Sequence, residues 1–208
     1  MTLLLIRHGE TALNVARVLQ PAATKLSARG IAQAEALAQR LALMNVRAIV
    51  SSDLPRALRT AEAIAAATGA VIETTPLLHE RNFGDWRGRS YDSMAVDPLT
   101  MAEAPPNGES EAAFAQRVTA AFAHVVARRA ALGAGADGAL AVVTHGLVIR
   151  ALLAAQVQLD AGSSPPTHLG NTSLSIVDAS PPHRVSLLNC TRHLGAAAGD
   201  DARALSGG

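Results

Sequence analysis

Short runs of consecutive apolar residues alternate along this chain with longer segments in which apolar residues recur every three or four positions. A short run is typical of a strand buried on both faces, and the longer spacing is typical of an amphipathic helix. Proline in the first turn of the segment 55–68 and glycine after the segment 110–132 mark helix ends. The pattern predicts strands at residues 2–6, 48–50, 71–74, 140–143, 174–177 and 185–188, and helices at 27–44, 55–68, 110–132 and 147–155.

This alternation of strands and helices indicates an α/β fold, a three-layer α/β/α sandwich with a mostly parallel central sheet. The chain has 208 residues, which fits one domain, and we place that domain at residues 1–194. The stretch 76–108 is long for a connection without regular structure, so it is a candidate functional region. Residues 195–208 are rich in Gly and Ala without periodicity, which predicts a flexible tail.

The amino-acid composition excludes several classes of protein. Apolar residues make up 49% of the chain, which is enough for a sizeable core, and the net charge of +1 lacks the basic excess of a nucleic-acid binder. No apolar run approaches the roughly 18 residues of a membrane span. Cys190 is the only cysteine, so neither an internal disulfide nor a thiolate metal cluster forms. We expect a cytoplasmic protein, monomer or homodimer, that binds neither nucleic acid nor membrane.

Polar side chains cluster where predicted strands end. Because the carboxyl ends of parallel strands share one edge of a sheet, we expect His8, Arg56, Glu80 and His145 to converge there. Arginine offers a planar fork for phosphate oxygens, and neutral histidine is a competent nucleophile, so this set suits phosphoryl transfer. The clusters occupy residues 7–11, 51–56, 78–81 and 144–146.

Taken singly, these side chains also have structural interpretations. A histidine or arginine at a strand end is more often a structural hydrogen-bonding group than a catalytic one. Ser51 and Ser52 lie outside any G-x-S-x-G nucleophile motif, so we expect them to cap the following helix. His79 either borders the pocket or is structural, while Trp86 and Tyr91 either pack in the core or shape the pocket mouth.

The polar clusters resemble the sequence motifs of the histidine phosphatase superfamily, the phosphoglycerate-mutase-like proteins. All four motifs appear in the family's order, over about residues 2–190. They are Leu5-Ile6-Arg7-His8-Gly9-Glu10-Thr11 with Asn14, Ser51-Ser52-Asp53-Leu54-Pro55-Arg56-Ala57, Leu78-His79-Glu80-Arg81 with the following loop, and Val143-Thr144-His145-Gly146.

This resemblance implies a phosphoglycerate-mutase-like fold and a reaction that needs neither a metal nor another cofactor. It implies that His8 becomes phosphorylated, that Arg7 and Arg56 hold the phosphoryl oxygens, and that His145 stabilises the transferring group. Glu80 would protonate the leaving oxygen and later activate water. Residues expected to contact the substrate or its phosphate are Gly9, Thr11, Asn14, Gln20 and Gly146.

Within this family, the sequence favours a phosphatase acting on a small phosphomonoester. The family's mutases grip a second acidic group with basic residues, and the segment 91–111 contains no Lys or Arg. The loop 83–88 instead resembles that of broad-specificity and α-ribazole-phosphate phosphatases. The alternatives are a bisphosphoglycerate-dependent phosphoglycerate mutase and a non-catalytic module that binds a phosphorylated ligand. Pro21 stands where many relatives have glycine, so the resemblance does not identify the substrate.

Overall fold

A computed structural model describes residues 1–133 and 138–195. These residues contain a six-stranded sheet. Its order is β3-β2-β4-β1-β5-β6. The pairs β1–β4, β2–β4 and β2–β3 are parallel, whereas β5 runs antiparallel to both of its neighbours. The prediction of a mostly parallel sheet is confirmed. The strands are β1 (Thr2–Arg7), β2 (Val46–Ser51), β3 (Val71–Thr74), β4 (Ala139–Thr144), β5 (Leu174–Asp178) and β6 (Val185–Cys190).

Helices cover both faces of the sheet, which confirms the three layers. Alternate residues of β1 point to opposite faces. Leu4 and Ile6 join one core cluster with α2 and α3, while Leu3 and Leu5 join another with α4 and α5. The helices are α1 (Ala12–Val15), α2 (Ala28–Leu41), α3 (Pro55–Thr68), α4 (Glu111–Ala131) and α5 (Gly146–Ala155).

Local capping explains where these helices begin and end. The Ser27 hydroxyl accepts from the amide of Gly30 at the start of α2. Pro55 opens α3, and Gly69, at φ +73°, ends it in the left-handed conformation that glycine adopts without strain. The predicted range 55–68 therefore matches, whereas the predicted helix 27–44 extends three residues too far. After Leu41 the chain turns, and Asn45 has a positive φ of 47°.

The stretch 76–108 is irregular, as expected, but it is firmly attached to the chain that follows β1. Leu19 donates its amide to the carbonyl of Arg89 (3.0 Å) and accepts from the amide of Gly88 (2.7 Å). Tyr91 donates to the carbonyl of Arg17 (2.9 Å). These hydrogen bonds hold the loop beside the carboxyl edge of the sheet.

Parts of the sequence predictions fall outside the described residues. The predicted tail at 195–208 does so except for its first residue, and its flexibility stays a prediction. Within residues 1–133 and 138–195, no helix combines the length and apolar character needed to cross a membrane.

Candidate active site

His8 and His145 follow directly on the adjacent parallel strands β1 and β4. Arg7 pairs with Thr144 at the end of the ladder, so each histidine is the first residue beyond its strand. The ring centroids lie 5.1 Å apart, and both side chains are buried. The expected convergence of the two histidines is therefore present in the structure.

The hydrogen bonding of His8 determines which of its ring nitrogens carries the proton. Nδ1 lies 2.7 Å from the carbonyl oxygen of Gly9, and a carbonyl only accepts, so Nδ1 is protonated and Nε2 keeps its lone pair. Burial, followed by the charges of Arg56 and Arg7, lowers the pKa of His8 well below its usual value. The imidazole is therefore neutral at neutral pH.

The backbone of His8 is fixed by residues that the sequence reasoning missed. The side-chain amide of Asn171 and the backbone amide of Thr172 both donate to the His8 carbonyl, at 3.1 and 3.2 Å. Both residues lie in the turn before β5, and no motif in the sequence marks them.

Two buried guanidinium groups lie beside the histidines. Arg7 ends β1 and donates to the carbonyl of Leu169. Arg56 is the second residue of α3, and its Nε and Nη1 atoms are buried without a hydrogen-bond partner among the residues described. Burial lowers the pKa of Arg56 to about 10, against the opposing charge of Glu80, so Arg56 remains a cation at neutral pH. Its unpartnered N–H groups suit an anion.

Glu80 is held against the N-terminus of α5. One carboxylate oxygen accepts from the amide of Arg81 (3.0 Å) and the other from the amide of Leu147 (3.1 Å). Burial raises the pKa of Glu80, although these hydrogen bonds and the charges of Arg56 and Arg7 oppose the shift. Glu80 therefore keeps a proton to higher pH than an exposed glutamate does.

Ser52 contacts His145, which the sequence reasoning did not foresee. The hydroxyl oxygen of Ser52 lies 2.9 Å from Nε2 of His145 and accepts from the amide of Leu54 (3.3 Å). If the hydroxyl donates its hydrogen to Nε2, neutral His145 carries its ring proton on Nδ1. Nδ1 is buried and has no hydrogen-bond partner within residues 1–133 and 138–195. The pKa of His145 is well below its usual value because of burial and then the charge of Arg56.

The prediction that Ser51 and Ser52 cap the next helix was wrong. The residue before α3 is Leu54, and no side chain accepts from the first turn of that helix. The Ser51 hydroxyl donates instead to the carbonyl of Ser52 (2.8 Å).

Thr11, Asn14 and Gln20, which follow His8 in the chain, form one buried network. Thr11 caps α1, and its backbone amide donates to Oδ1 of Asn14 (3.1 Å), which directs the Asn14 NH₂ group away from Thr11. The Thr11 hydroxyl lies 2.9 Å from Oε1 of Gln20. The structure therefore brings together three of the residues expected to contact the substrate.

The two glycines expected to contact the phosphate, Gly9 and Gly146, differ in their surroundings. The amide of Gly9 donates to the hydroxyl of Thr60 (3.1 Å), and a Cβ here would lie 2.5 Å from the carbonyl oxygen of Gly30. The expected phosphate contact of Gly9 is thus not available through its amide, because that group and the close approach of α2 are already engaged. Gly146 is the first residue of α5, where backbone amides face the site.

A cavity of about 680 Å³ opens beside Glu80. His79 lines this cavity and hydrogen-bonds Asp53, so His79 borders the pocket. Trp86 and Tyr91 instead pack against the core cluster that contains α4, which favours the packing role for both. Among the residues described, no group of three His, Cys, Asp or Glu side chains is arranged to hold a metal ion.

Comparison with known proteins shows which family the chain resembles. The sequence profile of the histidine phosphatase superfamily (branch 1) matches residues 3–191. "Probable phosphoglycerate mutase GpmB" of Yersinia pestis is 35% identical over 184 residues, which are 84% of this chain and 83% of that protein.

Several solved structures of similar proteins carry phosphatase names. A mycobacterial glucosyl-3-phosphoglycerate phosphatase is 33% identical, with a TM-score of 0.76 over 91% of this chain and 98% of that one. A proposed α-ribazole-5′-P phosphatase of Escherichia coli is 27% identical, with a TM-score of 0.70 over 92% of this chain and 97% of that one.

Proposed function

Because this chain belongs to the histidine phosphatase superfamily (branch 1) and is an enzyme of that type, we propose that it hydrolyses small phosphomonoesters through a phosphohistidine at His8. The observation that carries the proposal is that the ring of His8 and the guanidinium of Arg56 lie at the same edge of the sheet. His8 has an unprotonated Nε2, and Arg56 has buried N–H groups without a partner in the described chain. A nucleophile and an anion-binding group thus lie at one sheet edge.

In the first half of the reaction, Arg7, Arg56 and the Nδ1 hydrogen of His145 donate to the phosphoryl oxygens. Nε2 of His8 attacks phosphorus, and the bond from phosphorus to the leaving oxygen breaks. Protonated Glu80 gives its proton to that oxygen, so an alcohol leaves and phosphohistidine remains.

In the second half, water replaces the alcohol. The carboxylate of Glu80 accepts a proton from the water as its oxygen bonds to phosphorus, and the phosphorus–nitrogen bond breaks. Inorganic phosphate leaves, while neutral His8 and protonated Glu80 are restored. One residue serves as acid and then as base because the second half reverses the first.

The fixed charges support a reaction without a metal ion. A phosphoryl group in transfer spreads negative charge over three oxygens, and positioned cations stabilise that charge. Arg7 and Arg56 supply two positive charges, and Arg56 keeps its charge even with a pKa of about 10.

Hydrolysis is favoured over mutase activity by the charges around the cavity. A mutase must hold an acidic substrate while it returns the phosphoryl group, and the segment 91–111 contains no Lys or Arg. Of the two arginines that line the cavity, Arg117 is already held by Glu109, so Arg87 alone of the pair could partly substitute for the mutase's basic residues. The name of the GpmB relative favours the mutase, which is therefore the second candidate.

A single set of assays distinguishes these functions. We expect the purified chain to release inorganic phosphate from several phosphomonoesters, equally well with and without EDTA. Interconversion of 2- and 3-phosphoglycerate that outpaces hydrolysis and needs 2,3-bisphosphoglycerate would establish the mutase instead. Phosphate binding without turnover or protein phosphorylation would establish the non-catalytic module.

A further inference from the structure

Thr172, in the turn before β5, adopts a backbone conformation that threonine rarely takes. Its φ is +53°, in the left-handed region where a branched side chain crowds the backbone, and the residue is fully buried. Such a conformation costs free energy and persists only where the surrounding contacts hold it, and residues of this kind cluster at functional sites. The backbone amide of Thr172 donates to the carbonyl of His8 (3.2 Å), so the strained residue contacts the proposed nucleophile.

The side chain of Thr172 is held by a histidine from the end of the described chain. Its hydroxyl donates to the carbonyl of Asn171 (2.7 Å) and lies 3.1 Å from Nε2 of His193, in the 3₁₀ turn Arg192–Leu194. Nη1 of Arg40, on α2, lies 3.4 Å from Nδ1 of the same ring. Because an arginine only donates, Nδ1 accepts, and the neutral ring carries its proton on Nε2, from which it donates to the Thr172 oxygen.

These contacts form a relay of hydrogen bonds with one direction. It runs from Arg40 through His193 and the Thr172 hydroxyl to the carbonyl of Asn171. The side-chain amide of Asn171 and the backbone amide of Thr172 then both donate to the carbonyl of His8. Burial, followed by the charge of Arg40, lowers the pKa of His193 to about 4, so the ring is neutral at neutral pH and the relay keeps its direction.

The carbonyl of His8 belongs to the peptide that orients the imidazole. The amide of His8 donates to the carbonyl of Thr144 (2.9 Å), so both backbone polar groups of His8 are held. The next carbonyl, that of Gly9, accepts the Nδ1 hydrogen of the His8 ring. Rotation of the His8–Gly9 peptide would move this acceptor and change the direction in which Nε2 points. Arg56 lies on α3, outside the relay.

We propose that Thr172, held by His193, is a positioning residue that aims Nε2 of His8 at phosphorus, an assignment that rests on the proposed function because it concerns the nucleophile of that reaction. Neither residue lines the cavity beside Glu80, so both act through the backbone of His8. Loss of the relay therefore slows phosphoryl transfer to His8 and leaves phosphate binding by Arg56 nearly unchanged.

The test removes one hydrogen-bonding group at a time and keeps the shape of the side chain. Thr172→Val and His193→Phe should each slow single-turnover phosphorylation of His8 about 10–100-fold, the range for a misplaced reacting group. The Kd of inorganic phosphate, measured by calorimetry, should stay near that of the unaltered protein. Thr172→Ser keeps the hydroxyl and His193→Gln keeps a donor near the position of Nε2, so both should retain most of the rate. His124→Phe is the matched control, since His124 bonds Glu73 outside the relay, and it should keep the full rate.

Two further readouts distinguish positioning from a general loss of structure. Because both residues act through one relay, the double variant should be no slower than the slower single variant. The ¹⁵N resonances of the His8 ring should move from the Nδ1–H tautomer toward the average of the two tautomers. Losses that multiply in the double variant, unchanged phosphorylation rates, or equal weakening of phosphate binding would overturn the positioning role. His193 is half-buried, so His193→Phe carries the test if Thr172→Val does not fold.

The ring resonances also separate this failure from that of the proposed function, because they need no turnover. Absence of phosphohistidine in the unaltered protein, with a His8 tautomer that depends on Thr172 and His193, would refute the phosphatase and support the positioning role. Phosphorylation of His8 without that dependence would do the reverse.

Discussion

Replacing Glu80 with glutamine tests the assignment of the general acid. The need for a proton depends on the leaving group, since the conjugate acid of an alkoxide is far weaker than that of nitrophenolate. Glutamine keeps the size of the side chain but has no proton to transfer. We expect Glu80→Gln to slow phosphorylation of His8 by alkyl phosphates about 10²–10⁴-fold and by p-nitrophenyl phosphate far less.

The structure adds a second effect that the assay must separate. Both oxygens of Glu80 accept backbone amides, from Arg81 and Leu147, and glutamine offers only one acceptor oxygen. One amide then faces the NH₂ group of the new side chain, which costs about 1–3 kcal/mol of stability. A displaced side chain would slow both substrates equally, whereas the missing proton slows mainly the alkyl phosphate.

Single-turnover measurement of phosphohistidine formation is the appropriate assay, because Glu80 also activates water in the second half of the reaction. Phosphorylation by alkyl phosphates needs protonated Glu80, so its rate should fall as pH rises through the raised pKa of this residue. Glu80→Gln should remove that dependence. Equal losses for both substrates would refute the role as acid and leave Glu80 a positioning residue.

Further predictions concern the phosphoryl half of the site. His8→Ala should abolish both turnover and the acid-labile, base-stable label trapped by rapid quenching, and a label that persists would refute the nucleophile. Arg56→Lys should slow turnover about 10–100-fold because lysine lacks the planar fork of arginine. The control Arg59→Lys, at an exposed residue paired with Glu62, should not slow it. Equal rates for the two variants would contradict the role of Arg56. Ser52→Ala should slow phosphorylation and shift the ¹⁵N resonances of His145 away from the Nδ1–H tautomer, and unchanged spectra would remove the positioning role. Since burial lowers the pKa of His8 and His145 below that of an unfolded histidine, the unfolded chain binds more protons, and the free energy of unfolding should fall as pH drops below about 6.5. His8→Asn should lessen that slope in urea titrations, and an unchanged slope would count against the buried neutral ring.

Much of the phosphoryl site was predictable from the sequence because it follows from the order of the strands. Parallel strands end at one edge, so a residue directly after β1 and one directly after β4 become neighbours whatever lies between them. The start of α3 was marked by Pro55, and this position brings Arg56 to the same edge. Local signals and strand order were sufficient here.

Other parts of the site depend on contacts without a local signal. Ser52 and His145 are 93 residues apart, and a serine before a helix has the same pattern whether it caps that helix or binds a histidine. Asn171 binds the carbonyl of His8 from a turn that has no periodicity. The helix α1 has only four residues, too few for an apolar repeat, although its capping box at Thr11 is visible once the structure is known.

The two halves of the site are therefore built on different kinds of structure. The phosphoryl half is carried by strand ends and helix starts, whose positions the sheet and its cores determine, so the reaction type follows from the fold. The leaving-group half is carried mainly by the stretch 76–108, which is held by backbone hydrogen bonds between Leu19 and both Gly88 and Arg89 rather than by pairing within the sheet. A substitution in this stretch, away from Glu80, is thus expected to change which alcohol is accepted without altering the path of the phosphoryl group. In this protein, the choice of substrate therefore depends on the residues of the loop rather than on the fold.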